Sequence, residues 1–144
     1  MPVDRYFAYG SNLEPARMAR RVPSARPMGP AELADFDWRV DKRGSDGSGK
    51  ANIRRAVGQR VWGVVYEIDA LEWPGLDACE GGYARIEVRV RGEGADLFAH
   101  TYQSGDLTPD PTPFAWYKRL MVEGARHHGL PEEWVGLLEA LPAR

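Results

Sequence analysis

The chain has 144 residues and a mass of 16.1 kDa, with 43% hydrophobic and 28% charged residues, a size and mixture that suit one compact domain over residues 1–144. Its 19 Lys and Arg against 21 Asp and Glu leave a net charge of −2, without the basic footprint of a nucleic-acid binder, so chemistry on a small molecule is the default expectation. Cys79 is the single cysteine, which excludes an internal disulfide, and no apolar N-terminal stretch of signal or membrane length is present; a cytoplasmic protein without nucleic-acid or membrane partners is expected.

In chain order, Arg5 to Tyr9 is short, aromatic and β-prone, and Gly10-Ser11-Asn12 breaks it before a helical segment from Leu13 to Val22. Leu33 to Val40 alternates loosely, Gly44 to Gly49 reads as a turn, and Ala51 to Val57 as a strand. Val61 to Ile68 is nearly all apolar, as a strand covered on both faces would be. Asp69 and Glu72 have capping-box spacing, Pro74 suits the first turn of a short helix to Glu80, and Gly81-Gly82 stops it. Ile86, Val88 and Val90 alternate with charged residues and pair with Leu97 to Tyr102 across Gly92 to Gly94. Thr112 caps a helix that Pro113 starts and Gly129 stops; Pro131 starts a last one that buries Trp134, Leu137, Leu138 and Leu141. Strands first and helices late give an α+β class.

Two segments carry candidate chemistry. In Tyr9-Gly10-Ser11-Asn12-Leu13 the amides at a helix start can hold a carboxylate, while an ordinary Ser/Asn helix cap is the plainer reading. Neither a Walker loop nor a dinucleotide fingerprint follows. Glu80 would face the negative end of its helix, which raises a carboxyl pKa, with Tyr83 adding desolvation; a solvated helix-end glutamate is the alternative. Cys79 reads as a small buried apolar residue rather than a nucleophile. His127 and His128 read as cations at a helix end, and no metal-ligand spacing occurs, so neither metal nor cofactor is expected. Arg17, Arg20, Arg21 and Arg26, like Lys50, Arg54 and Arg55, suit solvated faces as well as an anionic substrate.

Tyr6-Phe7-Ala8-Tyr9-Gly10-Ser11-Asn12-Leu13 resembles the N-terminal signature of the gamma-glutamylcyclotransferase family. Leu76-Asp77-Ala78-Cys79-Glu80-Gly81, the strand from Tyr83, the strand Val61 to Tyr66, and Pro113, Tyr117, Gly124 and Gly129-Leu130-Pro131 resemble later segments of that family in the same order. The resemblance implies a small mixed β-barrel or highly curved sheet with packed helices. It also implies cyclisation of a gamma-glutamyl amide, releasing 5-oxoproline and a free amine or amino acid, as in glutathione metabolism. Glu80 would be the general acid/base; Tyr9, Gly10, Ser11, Asn12 and Leu13 would bind the glutamyl unit. Tyr83 and Tyr117 would line the site, with core packing the alternative. Relatives can carry a longer segment where only Gly81-Gly82 separates Glu80 from Tyr83, so one pocket wall is expected to be short here. A non-catalytic module holding a carboxylate metabolite is the alternative function, and a monomer or homodimer fits equally.

Overall fold

The computed structural model describes residues 2–144. Five strands, β1 (Val3–Ala8), β2 (Arg26–Arg43), β3 (Gly49–Asp69), β4 (Ala84–Gly92) and β5 (Ala95–Gln103), close into a barrel in the order β1-β3-β2-β4-β5. Four helices, α1 (Pro15–Arg21), α2 (Trp73–Cys79), α3 (Ala115–His127) and α4 (Glu132–Glu139), complete the α+β architecture expected from the sequence. Every neighbouring pair is antiparallel except the closure, where β1 meets β5 in parallel at Tyr6 and His100. The Thr101 hydroxyl reinforces that closure by donating to the Phe7 carbonyl at 2.7 Å.

The central strand is longer than its composition suggests. The two short strands expected at Ala51 to Val57 and Val61 to Ile68 are one, β3, because Gly58 does not break it: its φ is +86°, and its amide donates to Asp35 Oδ1 at 3.0 Å. The extra residues are taken up as a bulge opposite Asp35, with the register shifting between Ala34 and Phe36. The apolar half of β3 pairs with β1 on one side and β2 on the other, which is why it reads as an unbroken hydrophobic run. Phe7, Leu33, Ile53, Val61, Val64 and Ile68 fill the barrel core.

Helix boundaries differ from the sequence expectations where tertiary contacts decide. The Leu13 to Val22 helix begins only at Pro15, with Glu14 as N-cap accepting from the Arg17 amide at 2.6 Å; Ser11 to Leu13 form a separate 3-10 turn. Asp69 caps through the Leu71 amide, but Glu72 does not close a capping box, since its carboxylate accepts from the Ser24 amide instead. Thr112 does not cap α3: its hydroxyl donates to Asp110, and the chain stays extended through Phe114. Leu137 of α4 is exposed, whereas Trp134 and Leu138 are buried.

α3 lies against the 3-10 turn at Gly124, where a Cβ would collide with the Leu13 backbone. A glycine inside a helix costs about 1 kcal/mol of helix propensity, so its place here reflects the close approach that seats the turn over the barrel mouth.

Candidate active site

β1 delivers the chain to that mouth at Tyr9, whose carbonyl accepts from the Trp38 indole at 3.0 Å. Gly10 turns it under Ala51 and Tyr117, so tightly that a Cβ would lie 2.9 Å from the Ala51 Cβ and 3.4 Å from the Tyr117 hydroxyl. In the 3-10 turn that follows, the Leu13 amide is committed to the Gly10 carbonyl at 3.1 Å and the Glu14 amide to the Ser11 carbonyl at 3.2 Å. Among the described residues, the Gly10, Ser11 and Asn12 amides meet no protein acceptor. Of the turn residues singled out in the sequence, Tyr9, Gly10, Ser11 and Asn12 line one small chamber; Leu13 does not. Its amide is committed to the Gly10 carbonyl and its side chain is fully buried in the core, so Leu13 anchors the turn.

Glu80 enters the same chamber from the opposite wall. It is the residue after α2, its amide closing the helix on the Leu76 and Asp77 carbonyls. Trp73 and Leu76 bury the inner face of α2, and the turn at Gly81-Gly82, with Gly82 at φ +86°, swings the carboxyl inward. The side chain is 14% exposed; Oε1 accepts from Asn12 Nδ2 at 2.9 Å and lies 3.6 Å from Arg21 Nη1. Burial raises its pKa above the usual carboxylate range, although Arg21, Asn12, Arg17 and Lys42 all pull it down. The cause is therefore desolvation, where the sequence pointed first to the helix end.

Tyrosines make the rest of the chamber, and their hydroxyls are sorted by what they touch. Tyr9 donates to the Tyr102 carbonyl at 2.6 Å, Tyr83 to the Ala51 carbonyl at 2.6 Å, and Tyr102 to Asp77 at 2.6 Å, which commits those protons to the protein. Tyr6 and Tyr117 are acceptors instead, from Asn12 Nδ2 and from the Ala51 amide, both at 2.9 Å. Burial pushes the Tyr117 hydroxyl up to about 12 and raises that of Tyr6 as well, so both remain protonated near neutral pH. Tyr83 and Tyr117, for which site-lining and core packing were alternatives, do both: each lines the chamber and each is buried or half-buried.

This inner chamber has a volume of about 30 Å³ and opens, past Ser11, Glu80, Tyr83 and Tyr117, into an outer one of about 550 Å³. A space of the inner size takes about two waters, less than an amino acid, so a ligand seated at the turn must extend into the outer chamber. Arg17, Arg21, Lys42 and Lys50 stand around the outer chamber with Asp46 and Trp116. The arginines grouped together in the sequence thus divide: Arg17 and Arg21, one helical turn apart, face the site, with Arg17 Nε donating to Ser11 Oγ at 3.0 Å, whereas Arg20 and Arg26 are exposed. That four-residue spacing was the signal available for them. Tyr6 opens the segment that resembles the family signature but is not singled out there, and Tyr102, 96 residues further on, which the barrel brings within 5.8 Å of it, carried no signal.

Cys79 is exposed at the rim, not buried as expected, because α2 turns the face of Trp73 and Leu76 inward and leaves Cys79 outside. His128 caps α3 with Nε2 3.1 Å from the Tyr66 hydroxyl, and burial lowers its pKa, so the helix-end cation expected there is disfavoured. Among the described residues no cluster of His, Cys, Asp and Glu could hold a metal ion, and no helix is long and apolar enough to cross a membrane.

Comparison with known proteins places this geometry. The sequence profile of the AIG2-like family matches residues 60–138. Human gamma-glutamylcyclotransferase is 36% identical over 148 aligned positions, covering 94% of this chain and 77% of the human one; the bovine enzyme is 35% identical over the same coverage. A solved gamma-glutamyl cyclotransferase superposes with a TM-score of 0.93 at 31% identity, over 99% of this chain and 90% of that one. YkqA from Bacillus subtilis shares the fold, with a TM-score of 0.85 at 23% identity, over 100% of this chain and 57% of that one. The chain belongs to the gamma-glutamylcyclotransferase family of enzymes, within the AIG2-like families.

Proposed function

We propose that this protein cyclises a gamma-glutamyl amide, releasing 5-oxoproline and a free amine or amino acid, with Glu80 as general acid/base. The observation that carries the reading is the pairing, across one chamber, of a largely buried carboxyl of raised pKa with the Gly10, Ser11 and Asn12 amides, which meet no protein acceptor among the described residues.

The chemistry follows from the groups present. The substrate's α-ammonium must lose a proton before its nitrogen can attack the γ-carbonyl carbon. A carboxylate lifted above its ordinary range is better matched to that task, because the gap to an amine pKa of about 8 is narrower. Attack forms the ring C–N bond and puts negative charge on the γ-oxygen. Uncommitted donors of the turn and of the tyrosines offset that charge, each contributing on the order of a few kcal/mol when well placed. Collapse breaks the bond to the leaving nitrogen, which takes the proton that Glu80 had accepted, and Glu80 then relays the second proton of the ring nitrogen, so the products are a neutral lactam and a protonated amine. Glu80 ends as it began. Nucleophile and electrophile belong to one molecule, so the protein's main work is to hold a folded conformer in reach of the base. The glutamyl unit occupies the turn side and the leaving group extends into the outer chamber; a reducing, cytoplasmic setting accords with the exposed thiol of Cys79.

Incubating the protein with a panel of gamma-glutamyl amino acids and amines, and measuring 5-oxoproline, tests the proposal. Turnover that Glu80→Gln abolishes while the fold persists is expected. A Glu80→Gln protein with near-native turnover would remove Glu80 from the mechanism, and binding of the panel with no cyclisation of any member would make the protein a binding module.

A further inference from the structure

Arg21 has no part in the chemistry above, yet it touches the group on which the site's hydrogen bonding turns. From α1 its Nη1 donates to Asn12 Oδ1 at 3.1 Å, and Nη1 is also 3.6 Å from Glu80 Oε1. On its other side the buried Asn12 amide nitrogen donates to the Tyr6 hydroxyl oxygen and to Glu80 Oε1, both at 2.9 Å. Reversing the Asn12 amide would set its NH2 against the guanidinium, donor to donor, and its oxygen against the carboxylate, acceptor to acceptor. Arg21, together with Glu80, therefore decides which way Asn12 faces, and Arg21 holds the oxygen end.

Two consequences follow from that orientation. The Tyr6 hydroxyl accepts from Asn12, so its own hydrogen is the donor left over; it meets no acceptor among the described residues, and Tyr6 lines the inner chamber. Glu80 Oε1 is occupied by Asn12, while Oε2 has no protein donor among the described residues.

We infer that Arg21 is a positioning residue: by holding the Asn12 carbonyl oxygen it turns both amide protons inward, which leaves Glu80 Oε2 as the proton-carrying oxygen and the Tyr6 hydroxyl as a donor to the substrate. The inference rests on Glu80 being the acid/base. It adds a charge effect of known sign. Facing Glu80 are the cations Arg17 and Arg21 of α1 and Lys42 of β2, and the phenols Tyr6 of β1, Tyr102 of β5 and Tyr117 of α3, with Tyr9 and Tyr83 beside them. Arg21 is the strongest of the opposing influences, so its removal moves the Glu80 titration to higher pH.

Arg21→Met keeps a linear apolar stem and deletes the guanidinium. It is expected to lower kcat on the order of 10- to 100-fold with little change in KM, and to move the acid limb of kcat/KM to higher pH. Arg21→Lys, which restores a cation, should bring the limb back towards wild type and recover part of kcat. In the double variant Arg21→Met/Tyr6→Phe the loss should fall short of the product of the single losses, because both act through one hydrogen-bond set. Carbon-13 NMR titration of the Glu80 carboxyl in the substrate-free protein reads the same effect without turnover: it should move upward in Arg21→Met. An unchanged titration in a folded Arg21→Met protein overturns the inference, as does a loss confined to KM, which would make Arg21 a substrate contact. If Arg21→Met fails to fold, Arg21→Gln takes its place with the same expectations. Absence of wild-type turnover on the panel would count against the proposed reaction alone, since the carboxyl titration still decides the role of Arg21.

Discussion

Asp46 and Glu80 line the same outer chamber and are displaced in opposite directions from an ordinary carboxyl. Asp46 sits on the exposed turn between β2 and β3, where the Ser48 hydroxyl at 2.6 Å, the Ser48 amide at 3.0 Å and Lys50 at 3.1 Å hold its pKa down to about 2. Glu80, with its side chain only 14% exposed, has one direct protein donor among the described residues and is pushed up by desolvation. The difference is one of solvent and donor number, since the residues are chemically alike. A carboxyl surrounded by donors and water stays charged and organises its loop; one that is dry and sparsely bonded can take up and return a proton.

The largest test of that contrast is the pair Glu80→Gln and Asp46→Asn. Glu80→Gln should cost on the order of 100- to 10,000-fold in 5-oxoproline release, the range of general acid/base catalysis, whereas Asp46→Asn should leave kcat within about twofold and mainly unsettle the turn. Comparable losses from both would dissolve the distinction between them.

Gly10→Ala comes next, because the added methyl meets Ala51 at 2.9 Å in a core strand. Overpacking of this kind costs about 1–3 kcal/mol, measurable as a lowered denaturation midpoint, and it displaces the turn, so activity should fall more steeply than stability. An active, fully stable Gly10→Ala protein would show that the turn need not lie so close to β3.

A smaller effect concerns stability against pH. Glu80 binds its proton more tightly folded than unfolded, so its contribution is fully present below the unfolded pKa of about 4.3 and is lost as pH rises through the higher folded value. Glu80→Gln has no such loss. Its melting temperature relative to wild type should therefore be higher at pH 7.5 than at low pH. Asp46 has the opposite sign: its stabilisation is present above the usual carboxylate pKa and disappears as pH falls through about 2, an effect small for so exposed a group. A Glu80→Gln difference that is flat across pH would mean the Glu80 carboxyl is not perturbed. Cys79→Ala should change turnover least of all, within about twofold, since the thiol lies at the rim and outside the inner chamber; a large loss on steady-state assay would bring Cys79 into the mechanism.

The amino-acid sequence by itself determined the parts whose causes are local. Alternation fixed the β4–β5 hairpin, an apolar run marked the half of β3 that pairs on both sides, and Gly10 and Gly82 marked the turns that bring the two walls of the site together. Breaks in periodicity, where the chain changes direction, marked Glu80 and the Tyr9 to Asn12 turn as candidates beside plainer readings, and the resemblance to the family is what singled them out. Tertiary structure alone decided the rest. It merged two expected strands into β3 because Asp35 satisfies the Gly58 amide across the bulge, and it set Leu13 in the core beneath α3, which packs on it at Gly124. It turned Cys79 outward and gathered Tyr6, Tyr102 and Arg21 about Glu80. Above all it raised Glu80 while lowering Asp46. Burial and hydrogen-bond count are properties of a position in space, and a one-dimensional pattern records neither until the barrel has closed.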